Sequence, residues 1–238
     1  MLQREYGVPI AIVEAKDNTH SVSHGMQQAL GYAGILEVPS AFSSNGDGFA
    51  SHNKIPETGA EIESEFPLES FPSPTELWQR YKNFRNIKDY EEELISQPYY
   101  LDTSGKEPRY YQAEAVNRTI EAVAKGQKRI LLVMATGTGK TFTTFQIIWR
   151  LWKAKKAKRI LFLVDRNILA DQTLVNDFKP FGSAMTKVKN RKIDPSYEIH
   201  IGLYQALTGS TEEDKIFKNV SRNFFDLIVI DECHRGSA

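Results

Sequence analysis

Two short segments of the chain carry side chains suited to phosphate chemistry. The first spans residues 134–141 and reads MATGTGKT, and the second spans residues 231–234 and reads DECH. Glycines have no Cβ, so the backbone of the first segment can wrap around phosphate oxygens and direct its N–H groups at them. Lys140 can then reach the terminal phosphates, while hydroxyl and carboxylate oxygens are the ligands that magnesium prefers. The two segments together predict a site for a magnesium-bound nucleoside triphosphate.

Each segment follows an apolar run that is typical of a buried strand. Residues 129–134 (RILLVM) precede the glycine-rich segment, and residues 224–230 (FFDLIVI) precede the acidic one. A helix predicted from Lys140 to Lys153 would offer the positive end of its dipole to an anion. Its apolar residues fall on one stripe, as packing on a sheet requires: Phe145, Ile147, Ile148, Leu151 and Trp152. Because strands of open α/β sheets present their carboxyl ends to ligands, we expect both segments to converge there.

The acidic segment supplies the groups that phosphoryl transfer needs. We assign magnesium to Asp231 and Thr141, activation of the attacking water to Glu232, and coupling to the rest of a motor to His234. Either segment alone is also compatible with a plain glycine-rich turn or a solvated strand end, and Met134 stands where the usual pattern has its first glycine. The prediction therefore rests on finding both segments in this order.

These segments resemble the first motor domain of superfamily-2 helicases and DNA translocases, which carries A-x-x-G-x-G-K-T and a D-E-x-H box. The resemblance implies that the following residues bind the nucleotide: Gln112, Gly137, Thr138, Gly139, Lys140, Thr141, Asp231 and His234. Gln112 resembles the glutamine that reads adenine, which its amide suits with one donor and one acceptor. Arg166 and Gln205 stand in segments that resemble the family's DNA-contact motifs, and they are the weaker candidates for DNA binding. A solvated Gln112, Arg166 or Gln205 is the alternative in each case.

A second chemistry precedes the motor segments. Residues 9–16 (PIAIVEAK) predict a strand whose period of two places Glu14 and Lys16 on the same face. Gln28 and Tyr32 then share one face of a predicted helix. A carboxylate that binds a hard cation beside a lysine that steadies developing charge suits metal-dependent cleavage of a phosphodiester. The alternative for the first pair is an exposed, salt-bridged strand edge.

The E-x-K strand followed by Q-x-x-x-Y resembles nucleases of the PD-(D/E)xK type in their RecB-like branch. The resemblance implies catalytic roles for Glu14, Lys16, Gln28 and Tyr32, with Glu14 as a metal ligand. Nuclease, glutamine motif and translocase follow one another as in the restriction and translocation (R) subunit of type I restriction enzymes. Residues 42–49 and 71–78 also look like segments of that subunit. The resemblance covers nearly the whole chain.

That resemblance implies a function, cofactors and partners. The subunit would couple ATP- and magnesium-dependent translocation on double-stranded DNA to endonucleolytic cleavage, in the cytoplasm and without a membrane. Methylation and specificity subunits of the same restriction-modification complex would be its partners. The chain departs from the pattern in having no aspartate on the strand before Glu14 and no second motor domain after residue 238. We therefore expect a fragment, truncated at both ends, that does not cleave DNA by itself.

The predicted fold class is α/β, with a partial restriction-endonuclease-like domain followed by a RecA-like parallel-sheet P-loop motor domain. The predicted boundaries are residues 1–55 for the nuclease, 56–105 for a linker and helical connector, and 106–238 for the first motor domain. Within the connector, the acid-rich residues 57–69 are interpreted as a linker or peripheral loop, and residues 75–96 as one helical segment.

Charge divides the chain in a similar way. Residues 1–108 carry 8 Lys and Arg against 17 Asp and Glu, whereas residues 109–238 carry 22 against 13. The basic runs at residues 153–159 and 187–192 could follow a phosphate backbone, although their lack of interleaved aromatic residues fits solvated loops equally well. The single cysteine, Cys233, has no partners at zinc-ligand spacing.

Two other functions remain open. One is a different superfamily-2 enzyme, either a repair helicase or a type III restriction subunit, although the type III arrangement places its nuclease after the motor. The other is a non-catalytic scaffold in which the ATP-binding and DNA-binding motifs only tether. ATP turnover that depends on Lys140 and Glu232 would count against the scaffold.

Overall fold

The chain divides into two compact units. The computed structural model describes residues 1–4, 7–56, 59, 61–102, 107–164, 177–188, 192–204 and 220–232. The first unit combines residues 1–99 with 109–130, and the second combines 100–108 with 131–238. The division differs from the predicted boundary at residue 106, because residues 109–130 belong to the first unit. The functional domain boundaries stay a prediction.

The first unit contains a mixed sheet of five strands. The strands are β1 (Leu2–Arg4), β2 (Val8–Ala15), β3 (Ser40–Ser44), β4 (Gly48–Asn53) and β5 (Glu63–Pro67), in the order β1-β2-β3-β4-β5. Only β2 and β3 run parallel, and helix α1 (Met26–Ile35) makes the crossover between them that a parallel pair requires. The partial nuclease-like α/β unit predicted from the sequence is therefore observed as a mixed sheet with one crossover helix.

The described part of this unit also contains the α-helices α2 (Pro74–Arg85), α3 (Asp89–Ile95) and α4 (Tyr110–Ala124). Helix α2 begins with a capping box between Ser73 and Glu76 and buries Leu77, Trp78 and Tyr81 in the same core as β2 and β3. Asn86 has a φ of 52°, and this left-handed residue ends α2. The single helix expected over residues 75–96 is therefore two.

The predicted linker is also structured. Residues 63–67 form β5, which pairs antiparallel with β4 through the register of His52 with Glu63 and of Phe49 with Phe66. Glutamates on an exposed edge strand are solvated while Phe66 packs on the core, so acidity there marks an edge rather than a loop. The interpretation of residues 57–69 as a linker or peripheral loop was wrong for its second half.

The second unit contains a sheet of four parallel strands. They are β6 (Ile160–Val164), β7 (Met185–Lys187), β8 (Ile199–Leu203) and β9 (Leu227–Ile230), in the order β7-β8-β6-β9. Helix α5 (Lys140–Lys153) has the bounds predicted from the sequence, and it buries Phe145, Ile147, Ile148 and Leu151. The predicted parallel-sheet α/β architecture is confirmed for this unit.

The apolar run before the glycine-rich segment differs from its prediction. Residues 127–135 are not in a strand, and Leu131 and Val133 are 71% and 89% exposed. Strand β9 is also shorter than predicted, and Ile228 and Ile230 on it remain exposed. A strand is buried by its hydrogen-bonded neighbours, and β9 pairs only with β6 among the described strands. The prediction that residues 129–134 and 224–230 form buried strands was therefore wrong. The first run forms no strand, and β9 in the second run has a described neighbour on one side only.

No helix within the described ranges combines the length and the apolar character needed to span a bilayer.

Candidate nucleotide and nuclease sites

The glycine-rich segment of the second unit is shaped for an anion. Gly137 and Gly139 have φ values of 79° and 85°, in the left-handed region that favours glycine. Thr138 closes the turn by donating its hydroxyl hydrogen bond to the carbonyl of Ala135 at 2.6 Å. Helix α5 starts at the next residue, Lys140, and Gly139 gives its first turn no side-chain cap. The N–H groups of that first turn are therefore not capped by a side chain and point along the dipole at the site.

The acidic segment meets this turn. Asp231 is held at the end of β9 by its N–H, which donates to the carbonyl of Leu163 on β6 at 2.8 Å. The Nζ atom of Lys140 lies 2.6 Å from Oε1 of Glu232, and the two side chains are 30% and 21% exposed. The structure thus brings together the lysine and the carboxylate that the sequence assigned to one site.

The backbone at Glu232 is set for this contact. Glu232 has a φ of 52°, which is uncommon for a residue with a Cβ, and its N–H donates to Oδ1 of Asp231 at 3.0 Å. Strained backbone of this kind costs energy and persists where surrounding structure holds it. The left-handed turn directs the Glu232 carboxylate to Lys140 rather than along the strand.

The remaining residues assigned to the nucleotide are placed less tightly. Thr141 is half-buried in the first turn of α5. Gln112 is buried, and its Oε1 accepts a hydrogen bond from the N–H of Arg109 at 2.9 Å, as part of the cap of α4. Its role in reading adenine stays a prediction. His234, Arg166 and Gln205 lie outside the described residues.

The four residues assigned to phosphodiester cleavage form one hydrogen-bonded chain in the first unit. Nζ of Lys16 lies 2.9 Å from Oε1 of Glu14 and donates to Oε1 of Gln28 at 3.0 Å. Nε2 of Gln28 in turn donates to the hydroxyl of Tyr32 at 3.3 Å. The strand pair and the helix pair therefore meet at one place, and their roles in cleavage stay a prediction. Tyr32 is 46% exposed, so this place is open to solvent.

Glu14 is positioned by two residues, Ser43 and Gly25, that were not predicted from the sequence. Ser43 lies beside Glu14 in the parallel register of β2 and β3, and its Oγ accepts a hydrogen bond from the N–H of Gly25 at 3.0 Å. A Cβ built on Gly25 would lie 2.8 Å from Cγ of Glu14 and 2.9 Å from Oγ of Ser43. A glycine directly before the helix of Gln28 was the available signal. Gly25 lets α1 approach the carboxylate closely.

Replacing Gly25 with alanine should therefore destabilise the first unit by about 1–3 kcal/mol, because Glu14 and Ser43 must move to admit a methyl group. Gly25 has an ordinary φ of −84°, so the cost is steric rather than conformational. Urea denaturation measures this change in the free energy of unfolding. The matched control is Gly31→Ala in the same helix, where a Cβ meets nothing within 4 Å. Gly31→Ala should stabilise the first unit by about 0.5–1 kcal/mol, since alanine has a higher helix propensity than glycine. Equal effects of the two substitutions would contradict the close approach.

A divalent cation fits poorly at Glu14 alone. Strand β1 pairs with residues 8–11 of β2 and carries no carboxylate, and no group of three or more metal-binding side chains occurs among the described residues. Asp17, just past β2, is engaged elsewhere, because hydrogen bonds from Thr19 and His20 lower its pKa to about 2. One carboxylate leaves a hard cation short of ligands.

Comparison with known proteins supports both halves of this arrangement. A family model described as "Type III restriction enzyme, res subunit" matches residues 105–238. The EcoAI endonuclease subunit of a type I restriction enzyme from Escherichia coli is 58% identical over 238 residues, which is 100% of this chain and 29% of that protein. The EcoKI endonuclease subunit from Escherichia coli K12 is 32% identical over 212 residues, covering 84% of this chain and 18% of the relative.

A solved structure is also similar to this chain. A fragment assigned to an HsdR subunit of a type I restriction enzyme from Vibrio vulnificus YJ016 superposes with a TM-score of 0.74 at 40% identity, over 95% of this chain and 39% of that one. The chain spans less than a third of the length of the EcoAI and EcoKI subunits. The family model covers only the motor motifs, whereas the EcoAI match extends over the nuclease-like residues as well. The chain belongs to this family of restriction-enzyme subunits, and the type I endonuclease (HsdR) subunits are its relatives across both units.

Proposed function

We propose that this chain is the nuclease-and-motor part of a type I restriction endonuclease subunit. ATP hydrolysis would drive translocation along double-stranded DNA, and translocation would precede cleavage. The observation that carries the proposal is the 2.6 Å contact between Lys140 and Glu232, because it brings the lysine proposed to bind phosphate next to the carboxylate proposed to activate water. Similarity to named type I endonuclease subunits supports the choice of restriction over repair.

ATP would lie against the first turn of α5, with its phosphates among the N–H groups of residues 137–141. Thr141 and Asp231 would hold magnesium, which when bound would neutralise phosphate charge and polarise the bond to the leaving group. The left-handed glycines and the absence of a side-chain cap at Gly139 fit a triphosphate. Gln112 would select adenine, in keeping with its amide chemistry.

Arrival of the triphosphate would rearrange the ion pair. Lys140 would exchange the Glu232 carboxylate for phosphate oxygens, which carry more negative charge and accept stronger hydrogen bonds. Glu232 would then be free to orient the attacking water and accept its proton. The pair thus keeps both side chains in place before the nucleotide binds, and it separates them into two roles afterwards.

In the nuclease half, Lys16 would steady the charge that develops on the attacked phosphodiester, while Glu14 would contribute one ligand to a divalent cation. Gln28 would hold the Lys16 ammonium at the site, and Tyr32 would orient Gln28. Double-stranded DNA would be the substrate in the cytoplasm. Methylation and specificity subunits of the complex would supply recognition of the target sequence, in keeping with the similarity to named type I endonuclease subunits.

Binding of ATP tests the motor half. A fluorescent ATP analogue titrated into the chain should bind in the presence of magnesium and more weakly after chelation with EDTA, because Asp231 and Thr141 would act through the metal. Failure to bind with magnesium present would reject the assignment of residues 134–141 and 231–232. A scaffold that only tethers would bind ATP but show no turnover dependent on Glu232.

Cleavage tests the nuclease half. The chain incubated with supercoiled plasmid, magnesium and ATP should leave the plasmid intact, because Glu14 belongs to no group of three or more metal-binding side chains among the described residues. Gel electrophoresis measures nicking and linearisation. Nicking that disappears in Glu14→Gln would contradict this expectation and would show that another carboxylate completes the metal site.

A further inference from the structure

A solvent-open cleft of about 460 Å³ lies in the second unit, away from the nucleotide site. Its walls come from the end of α5, the loop into β6 and the loop into β8, and they include Trp152, Lys155, Lys158, Arg159, Tyr197 and Glu198. Strands β6 and β8 begin here, whereas Asp231 and Glu232 follow the end of β9, which runs parallel to them. The cleft therefore lies at the amino-terminal edge of the sheet, opposite the candidate ATP site.

We infer that this cleft binds a nucleotide unit of single-stranded DNA, with the phosphate among the three cations and the base against the aromatic wall. The inference goes beyond the proposed function and does not depend on ATP binding. Grooves of this kind combine basic side chains that follow the phosphates with aromatic rings on which bases stack. An acidic peptide without aromatic residues would satisfy the cations but would offer no ring to stack on the aromatic wall.

The cations of the cleft are not neutralised by contact with carboxylates. Within the described residues, Lys155, Lys158 and Arg159 make no ion pair shorter than 4.0 Å. The nearby Asp226 uses its Oδ2 to accept the backbone N–H groups of Lys158 and Arg159, each at 2.9 Å. These hydrogen bonds lower the pKa of Asp226, which keeps it charged. Asp226 thus fixes the loop backbone while the basic side chains stay available to an anion.

Aromatic rings that are distant in sequence surround these cations. The indole Nε1 of Trp152 donates to Oε2 of Glu198 at 2.6 Å, which orients the ring and occupies the carboxylate. The guanidinium of Arg159 lies 4.6 Å from the centroid of Phe224. Tyr197 adds a half-exposed ring from the loop before β8. The folded chain supplies the interleaved aromatic residues that the linear basic run lacks.

Lys155 provides an independent observation. It has a φ of 54° just beyond the end of α5, and the next N–H, of Lys156, donates to the carbonyl of Leu151 at 3.0 Å. Helices commonly close in this way on a glycine, since a Cβ is disfavoured in the left-handed region. Lysine here opposes the local preference, and residues that break a local rule concentrate at functional sites. An anion-binding role accounts for the lysine.

The test uses the whole chain and a fluorescein-labelled oligothymidylate of about twelve nucleotides, read by fluorescence anisotropy over a range of salt concentrations. The double variant Lys158→Gln, Arg159→Gln should bind at least about tenfold more weakly, and its salt dependence should fall by about 0.7 in log–log slope for each lost phosphate contact. The matched control is Lys156→Gln. Lys156 is exposed in the same loop but does not line the cleft, so this variant should keep wild-type affinity.

Lys155→Gly separates binding from folding. It should raise the Tm by about 2 °C, because glycine suits the left-handed position, and should still weaken DNA binding severalfold. Tyr197→Leu should weaken DNA binding without changing the salt slope, since it removes stacking rather than charge. Three outcomes would overturn the inference: no binding by the wild type at low salt, equal loss of affinity in Lys156→Gln and in the double variant Lys158→Gln, Arg159→Gln, or displacement of the DNA by polyglutamate as effective as by unlabelled oligothymidylate.

Discussion

Replacing Lys140 with alanine should reduce the affinity of the chain for Mg-ATP by about two orders of magnitude. The ammonium would donate charge-assisted hydrogen bonds to the terminal phosphates, and losing about 3 kcal/mol of such contacts corresponds to this factor. Equilibrium titration with a fluorescent ATP analogue measures the change. Lys140 begins α5, so its side chain is the one that the helix start and the glycine turn direct at the phosphates.

Lys153→Ala is the matched control for Lys140→Ala. Lys153 ends the same helix, at the opposite end of α5 from the glycine turn. Its Nζ lies 4.6 Å from the centroid of the Trp149 ring. It should leave ATP affinity unchanged. Circular dichroism should show both variants folded, because Lys140 is only partly buried and Lys153 is exposed. Unchanged ATP affinity in Lys140→Ala would remove the basis of the proposed motor site.

Replacing Glu232 with glutamine should have opposite effects on binding and on hydrolysis. The Lys140–Glu232 ion pair competes with phosphate for the lysine. Both side chains are partly open to solvent and a pair of this kind is worth about 1 kcal/mol, so its loss should tighten ATP binding by about fivefold. Hydrolysis should fall by about 10²- to 10⁴-fold, because the amide cannot accept the proton of the attacking water. The same titration and a single-turnover measurement of phosphate release give the two values.

Asp231→Asn distinguishes the two carboxylates. It should weaken the magnesium-dependent part of ATP binding, because Asp231 is assigned to the metal and Glu232 to the water. If Glu232→Gln instead weakened ATP binding and kept full turnover, the roles of the two residues would have to be exchanged. Tighter binding with slow turnover in Glu232→Gln alone would match the contact between Lys140 and Glu232.

Local features of both candidate sites were predictable from residue types and spacing. Helix α5 has the predicted bounds because glycine ends the preceding turn and the apolar stripe of residues 145–151 repeats at helical spacing. Gln28 and Tyr32 share a face because residues four apart are neighbours on any helix. Such features depend on interactions within a few residues, which the sequence contains in full.

Burial was not predictable in the same way. Residues 129–134 are as apolar as β6, yet Val133 is exposed while Phe162 of β6 is buried between β8 and β9. Residues 63–67 are acidic, yet they form a strand because β4 offers a free edge with Phe49 opposite Phe66. Whether an apolar run is covered, or a polar run is paired, depends on which other strands lie beside it.

The sequence therefore determines which reactive groups this protein has. They are a glycine turn with a lysine, an acidic strand end, an E-x-K strand and a Q-x-x-x-Y helix. Only the tertiary structure decided which of these groups touch. It joined Lys140 to Glu232, let Gly25 bring α1 onto Glu14, and placed Trp152, Tyr197 and Phe224 around a basic loop. Residue types set the reactivity of a side chain, but contacts between distant residues depend on sheet order and close packing, which involve the whole chain.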